Sequence, residues 1–241
     1  IGDRRQRQMC IRDSVCDVSN EQQVIQFRDE VIEQHQTQHV NLVFNNAGIG
    51  GGNSFINDSR NGWETTFNIS WYGVYYGSRA FVPLLTASTE GYLVNTSSVN
   101  GFWASIGPKK ALTAYSAAKF AIKGFSEALV NDFRLHAPHV KVAVVMPGHI
   151  GTSNPLSTAV AQGSGSPKDM TAEAIAAIRD QWETAGRDTK NLSDDDIRNS
   201  LQALFDSFES SAPTSAQEAA TIILDGLRKE KWRILVGEDA V

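Results

Sequence analysis

Tyr115 and Lys119 stand four residues apart in the run Tyr115-Ser116-Ala117-Ala118-Lys119. On a helix, positions i and i+4 share one face, so both side chains would point at one ligand. A free phenol, with a pKa of about 10, is a poor acid–base catalyst at neutral pH. A neighbouring ammonium favours the phenolate and lowers that value. A drop of about three units corresponds to roughly 4 kcal/mol of differential stabilisation, and it would bring the phenol toward the range a general acid–base group needs. Many helices contain such a pair by chance, so its context decides. Upstream lies Asn95-Thr96-Ser97-Ser98, with two hydroxyls. Asn45-Asn46-Ala47-Gly48 and Pro147-Gly148-His149-Ile150-Gly151-Thr152 are two further stretches of small and polar residues.

Each of these stretches closes an apolar run. Residues 40–44, 92–95 and 140–146 are short and apolar, and 233–236, closed by Gly237, is a fourth. Such runs suit strands covered on both faces. Helical segments separate them. Ser19 to Gln22 is a capping box opening a helix to about Gln36, and Ser215 to Glu218 opens another that ends near Lys229. A helix from about Trp63 to Leu85 is interrupted late by Pro83. Another, from about Thr113 to Leu135, carries an apolar stripe at Ala117, Phe120, Ala121, Phe125 and Leu129. Alternating strands and helices predict an α/β fold, a doubly wound parallel sheet whose ligands bind at the carboxyl ends of the strands. The whole chain, 1–241, reads as one domain. Residues 150–211 are richer in Ser, Asp, Thr and Gly and read as an inserted lid with helices at about 171–185 and 194–209, the second capped by Ser193. Gly163 to Pro167 reads as a flexible point within it. Residues 1–14 are an atypical polar leader without periodicity.

The formal net charge is −5. That gives no general attraction to nucleic acid or to an anionic membrane, and neither is expected as a partner. No apolar run approaches the roughly 20 residues that span a bilayer. Cys10 and Cys16 fit neither a zinc pair nor a redox pair and read as reduced thiols of the cytoplasm. The five histidines suggest no metal site; His149, in the Pro-Gly loop, is either a ligand contact or a loop residue. Gly124-Phe125-Ser126-Glu127-Ala128 has the wrong last residue for a hydrolase elbow and lies inside a helix.

Taken in order, N-N-A-G, N-x-S-S, Y-x-x-x-K and P-G-x-x-x-T resemble the short-chain dehydrogenase/reductase family, over about residues 15–241. The resemblance implies a Rossmann-like fold and hydride transfer between NAD or NADP and a secondary alcohol or ketone. It implies that Tyr115 is the acid–base, that Lys119 holds the ribose and lowers the tyrosine pKa, and that Ser98 hydrogen-bonds the substrate oxygen. Ser97 is the second choice for that role, and a plain strand-end cap is the alternative for either serine. The family's active-set asparagine falls on Ser70, which could support a water-mediated proton relay. Asp17 and Val18 would meet the adenine. Asn45, Ala47 and Gly48 would line the adenine-ribose side, and Pro147, Gly148, Ile150 and Thr152 would flank the nicotinamide. The family also implies a homodimer or homotetramer.

Two departures shape the expectation. Only 16 residues precede Asp17, with no G-x-x-x-G-x-G among them, so the glycine-rich strand–turn–helix unit is expected to be absent and the fold N-terminally incomplete. Its loss would weaken dinucleotide binding and would leave NAD and NADP undistinguished. Ser98 and Tyr115 are also about four residues further apart than is common, through a stretch near Ser105 to Thr113 that includes Lys109 and Lys110 and would remodel the substrate pocket. Phe102 and Trp103 either line that pocket or pack. Two readings compete with an active oxidoreductase: a non-catalytic or truncated relative that binds no dinucleotide, and a sugar-nucleotide epimerase using the same Tyr and Lys.

Overall fold

A computed structural model describes residues 12–105, 111–184 and 186–241. Most of the leader, Cys10, and Lys109 and Lys110 lie outside the described residues. The first described element, α1 (Glu21–His35), starts at Asn20, whose side chain accepts from the Gln23 N–H. Strand β1 (Leu42–Asn45) leads to α2 (Arg60–Phe67), a π-helical turn (Asn68–Tyr72) and α3 (Gly73–Thr86). Then come β2 (Gly91–Thr96), α4 (Thr113–His136), β3 (Val140–Pro147) and a two-residue strand β4 (Ile150–Gly151). The helical segment α5 (Asn154–Ala161), α6 (Ala172–Thr184) and α7 (Asp194–Ser210) follows, and then β5 (Thr214–Ser215), α8 (Ala216–Arg228) and β6 (Arg233–Val236).

The strands form a four-stranded sheet in the order β1-β2-β3-β6, every pair parallel. Helices cover both faces, as a doubly wound fold requires. On one face Leu85 of α3 and Phe133 of α4 pack on Leu93, Val140 and Val142. On the other, Ala219 and Leu227 of α8 pack on Val94, Ala143, Val145, Ile234 and Val236. Helix α1 lies on α3, with Phe27 and Phe81 ring centroids 5.5 Å apart. Among the described residues β1 is an edge of the sheet, and its Leu42 and Phe44 are exposed. Beside it a cavity of about 360 Å³ is lined by Val24, Phe27, Val43 and Phe81, and by Val18, Asn45 and Ala47.

Three expectations need correction. The helix from Trp63 is not interrupted by Pro83, which sits inside α3; the break comes earlier, at the π turn. The stripe read on α4 is not its core face. Ala114, Ala118, Ile122, Ser126 and Phe133 are buried instead, while Ala117 and Phe120 are exposed. The core face mixes small residues with Ile122 and Phe133, and of the expected stripe Leu129 packs on this core while Phe125 packs against Trp71 and Tyr75. The segment read as a lid contains a helix the sequence reading missed, α5, and the Gly163 stretch terminates it: Gly163 has φ +81°, and Ser164 N–H donates to Ala159 C=O at 2.9 Å. This segment has its own core of Met170, Ile175, Ile197 and Leu201, with Trp182 and Leu192 against it. Arg179 ties the connection together, donating to the carbonyls of Thr189 (3.0 Å) and Leu192 (2.8 Å) and to Asp194 (2.9 Å).

Candidate active site

Parallel strands deliver their carboxyl ends to one side of the sheet, and the small, polar stretches meet there. Ser97 and Ser98 follow β2, and α4 presents Tyr115 and Lys119 from its first turns. Lys119 is 4% exposed. Its Nζ donates to the Thr96 carbonyl at 2.9 Å and lies 5.4 Å from the centre of the Tyr115 ring.

The two serines divide the work. Ser97 Oγ donates to the Lys119 carbonyl at 2.7 Å, a strut between strand and helix. Ser98 lies near enough to Tyr115 to oppose the upward shift of its phenol. Its Oγ also accepts from Asn100 N–H at 3.2 Å, capping the short turn after β2, and reaches the Pro147 carbonyl (3.4 Å). Ser98 therefore caps this turn, and its hydroxyl also lies near Tyr115.

Burial controls the ionisation of the pair. It pushes the Tyr115 phenol up from its ordinary value, against an opposing pull from the Ser98 hydroxyl. It also pushes the Lys119 ammonium down to about 8. The direction expected for Tyr115 is thus reversed. The physical reason is desolvation, which disfavours the charged form of both groups, while the Lys119 ammonium is turned to a backbone carbonyl.

Ser70 is fully buried in the π turn, and its hydroxyl donates to the Ile49 carbonyl at 3.3 Å. Local π geometry is common at functional sites. A Cβ at Gly48 would lie 3.4 Å from Lys119 Nζ and 3.8 Å from Ser70 Oγ, so the glycine keeps the space between them open. Ser70, Gly48, Lys119, Tyr115 and Ser98 form one constellation.

The remaining site residues fall into two groups. Val18, Asn45 and Ala47 line the 360 Å³ cavity beside β1. Asn45, however, spends its amide inside the protein: Nδ2 donates to Asn95 Oδ1 (2.9 Å) and Ser78 Oγ (3.1 Å). Asp17 is exposed and already accepts from the N–H (2.9 Å) and hydroxyl (2.7 Å) of Ser19. At the other end, Pro147, Gly148, Ile150 and Thr152 are half-buried along the loop from β3. A Cβ at Gly148 would overlap the Asp239 carboxylate, which accepts the His149 N–H at 2.7 Å. The His149 ring joins this loop to α7, with Nε2 2.7 Å from the Phe208 carbonyl. Asp239 is a residue the sequence reading missed, since nothing marks a lone aspartate 91 positions away as a partner of Gly148. Phe102 packs between the Lys123 ammonium (5.3 Å) and the Arg233 guanidinium (5.5 Å), whereas Trp103 is 70% exposed.

The doubly wound sheet brings Ser98, Tyr115 and Lys119 together at its carboxyl edge. Residues 4–160 match the family model described as short chain dehydrogenase. The chain belongs to this family of oxidoreductases. It is 36% identical over 147 residues to SadH of Mycobacterium tuberculosis, covering 61% of this chain and 51% of that protein. It is 27% identical over 169 residues to the 3-ketodihydrosphingosine reductase of Bacteroides thetaiotaomicron, covering 70% of this chain and 60% of that one. The chain thus spans about half the length of the curated relatives it matches. Among solved structures, a short chain dehydrogenase/reductase from Burkholderia phymatum in complex with NAD aligns with a TM-score of 0.65 at 25% identity, over 91% of this chain and 68% of that one. Among the described residues no helix is long and apolar enough to cross a membrane.

Proposed function

We propose that this chain is an NAD(P)-dependent oxidoreductase acting on a secondary alcohol or ketone. The observation that carries the reading is the convergence of Ser98, Tyr115 and Lys119, with Lys119 buried and bonded to Thr96. The Burkholderia phymatum relative was solved with NAD, and a cradle for a dinucleotide ribose fits the residues here: Gly48 leaves room beside Lys119 Nζ. Lys119 would hold the ribose. Val18 and Ala47 would lie on the adenine side, and Pro147, Gly148, Ile150 and Thr152 on the nicotinamide side. The bound cofactor supplies or accepts the hydride.

The chain's own residues handle the proton. Ser98 Oγ fixes the substrate oxygen beside the Tyr115 hydroxyl. Burial keeps Tyr115 protonated at neutral pH, so it is ready to donate to a carbonyl oxygen as negative charge develops there. The Lys119 ammonium, mostly charged below about pH 8, stabilises the phenolate that remains. In a water-poor site that attraction is stronger than in bulk water. Ser70, bonded to Ile49, supports the floor beneath Lys119. The exposed Phe120 and Tyr72 on α4 and the π turn fit a homodimer or homotetramer joined through these helices.

The test is steady-state turnover of a ketone panel with NADH and with NADPH, for the parent and for Tyr115→Phe. The variant should lose about 10² to 10⁴ in kcat, with dinucleotide affinity nearly unchanged. A variant within a few-fold of an active parent would refute the assignment of Tyr115.

A further inference from the structure

The N-cap residue of helix α4 is Leu112, which has no side-chain acceptor to offer. The first N–H groups of any helix lack partners within it, and an end left without them frays. Tyr115 stands at the third helical position, inside that first turn. The partners come from another part of the chain. The Thr113 N–H donates to the Asn53 carbonyl (3.2 Å) and the Ala114 N–H to the Gly52 carbonyl (3.0 Å). The Thr113 hydroxyl donates to the same Gly52 carbonyl (3.1 Å) and accepts from the Trp63 indole N–H (3.0 Å). Gly52, buried and at φ +56°, lies against this turn, and a Cβ there would overlap Ala114 Cβ.

These groups are themselves held. The Asp58 carboxylate accepts from the Asn53 N–H (2.6 Å), and the Asp58 N–H donates to the Ser54 carbonyl (2.9 Å), closing the loop 53–58. Trp63, half-buried in the first turn of α2, stacks on Phe67 with ring centroids 5.4 Å apart. Lys119, one turn further along α4, is held from a different strand. Its carbonyl accepts from Ser97 Oγ and its Nζ donates to Thr96, both at the end of β2. Tyr115 and Lys119 are thus registered on opposite supports, the turn after β1 and the end of β2, and the first turn of α4 joins them.

We propose that Gly52, Trp63 and Thr113 form an external cap on α4 that sets where the Tyr115 hydroxyl stands relative to Lys119 and Ser98. They are positioning residues, and the inference rests on the function proposed above. Thr113 is the junction: its hydroxyl links the indole to the Gly52 carbonyl, which thereby accepts two donors. Removing that hydroxyl breaks two hydrogen bonds, each shifting an equilibrium by about fivefold. Misplacing a reacting group by about 1 Å costs on the order of 10² in rate. A loosened cap should therefore lower turnover through Tyr115 and leave ketone binding nearly unchanged.

Thr113→Val keeps the shape and removes both bonds; Thr113→Ser keeps them and is the rescue control; Trp63→Phe removes the donor and leaves a ring to stack on Phe67. Amide hydrogen exchange on the chain alone should rise about tenfold or more in residues 113–116 for Thr113→Val, about fivefold for Trp63→Phe, and not for Thr113→Ser. With NAD(P)H and a ketone the parent reduces, kcat should fall about 10- to 100-fold in Thr113→Val while KM for the ketone stays within about twofold. The same substitution added to Tyr115→Phe should change the residual rate by less than about twofold, because no phenol remains to be placed. Unchanged exchange in both Thr113→Val and Trp63→Phe would overturn the cap. So would faster exchange with an unaltered kcat, or an equal loss of rate with and without the phenol, since either result would make these contacts structural only. Faster exchange in variants of a parent that turns over no carbonyl would support the cap and would refute the oxidoreductase reading instead.

Discussion

Replacing Lys119 by methionine should make the protein more stable and inactive. Burial lowers the lysine from its ordinary 10.5 to about 8. That difference, at 1.36 kcal/mol per unit, means that keeping the ammonium in the fold at pH 7 costs about 3 kcal/mol. Methionine fills nearly the same volume without a charge. It also leaves the Thr96 carbonyl without its donor, a loss of about 1 kcal/mol. The net expectation is a gain of about 2 kcal/mol, or about 4–8 °C in Tm for a domain of this size. The gain must depend on pH with a fixed sign. Below about pH 8 the lysine is charged in both folded and unfolded chains, so the full penalty applies. Between about 8 and 10.5 the folded lysine loses its proton while the unfolded one keeps it, so the parent gains stability as pH rises. Denaturant titrations of both proteins at pH 7 and pH 10 would show the gap close. Turnover should fall by at least about 10², the scale of losing an electrostatic stabiliser. A variant less stable than the parent at pH 7, or a gap equal at both pH values, would refute the claim that desolvation governs this site.

Two further substitutions probe the scaffold. Gly148→Ala drives a methyl into the Asp239 carboxylate and should cost about 1–3 kcal/mol and weaken dinucleotide binding. Adding Asp239→Ala should recover part of both losses, and strictly additive effects in urea titrations would count against the contact. Asn95→Ala removes a fully buried amide that accepts from Asn45 and donates to Ser126 (3.0 Å), and should cost about 2–4 kcal/mol. Ser78→Ala, which leaves Asn45 its bond to Asn95, should cost about 1 kcal/mol. An inverted order would mean that Asn95 is not the centre of this network.

The candidate site residues were legible because chemistry restricts their types. Tyr115, Lys119 and Ser98 stand out by identity and spacing, and the strands that aim them stand out by continuous apolar runs. What escaped the sequence depends on distances that no periodicity encodes. Much of the core face of α4 was missed because it buries alanine and serine beside Ile122 and Phe133, and small residues leave no apolar stripe to read. Helix α5 was missed because it has no buried stripe; its partners are backbone groups near residue 50, more than 100 positions away. The direction of the Tyr115 shift was missed because i, i+4 spacing gives proximity but not where an ammonium points, nor how little water surrounds it.

That last reversal changes how the pair works. A lysine that simply lowered the tyrosine would make a phenolate ready to take a proton. Here burial raises the acid and weakens the base, so both groups are nearer neutrality than in water. Such a pair keeps the resting phenol protonated, and on the proposed reading the attraction between phenolate and ammonium would appear only as the proton leaves. An interaction absent from the ground state and present in the transition state is the kind that accelerates a reaction. The fold bears its cost beforehand, in a lysine held 4% exposed by one carbonyl, by the small residues of α4 and by a glycine turn that α5 clasps from outside. On the proposed reading, stability lost at Lys119 and rate gained at Tyr115 would be two measures of the same desolvation, and a variant that restores the first should forfeit the second.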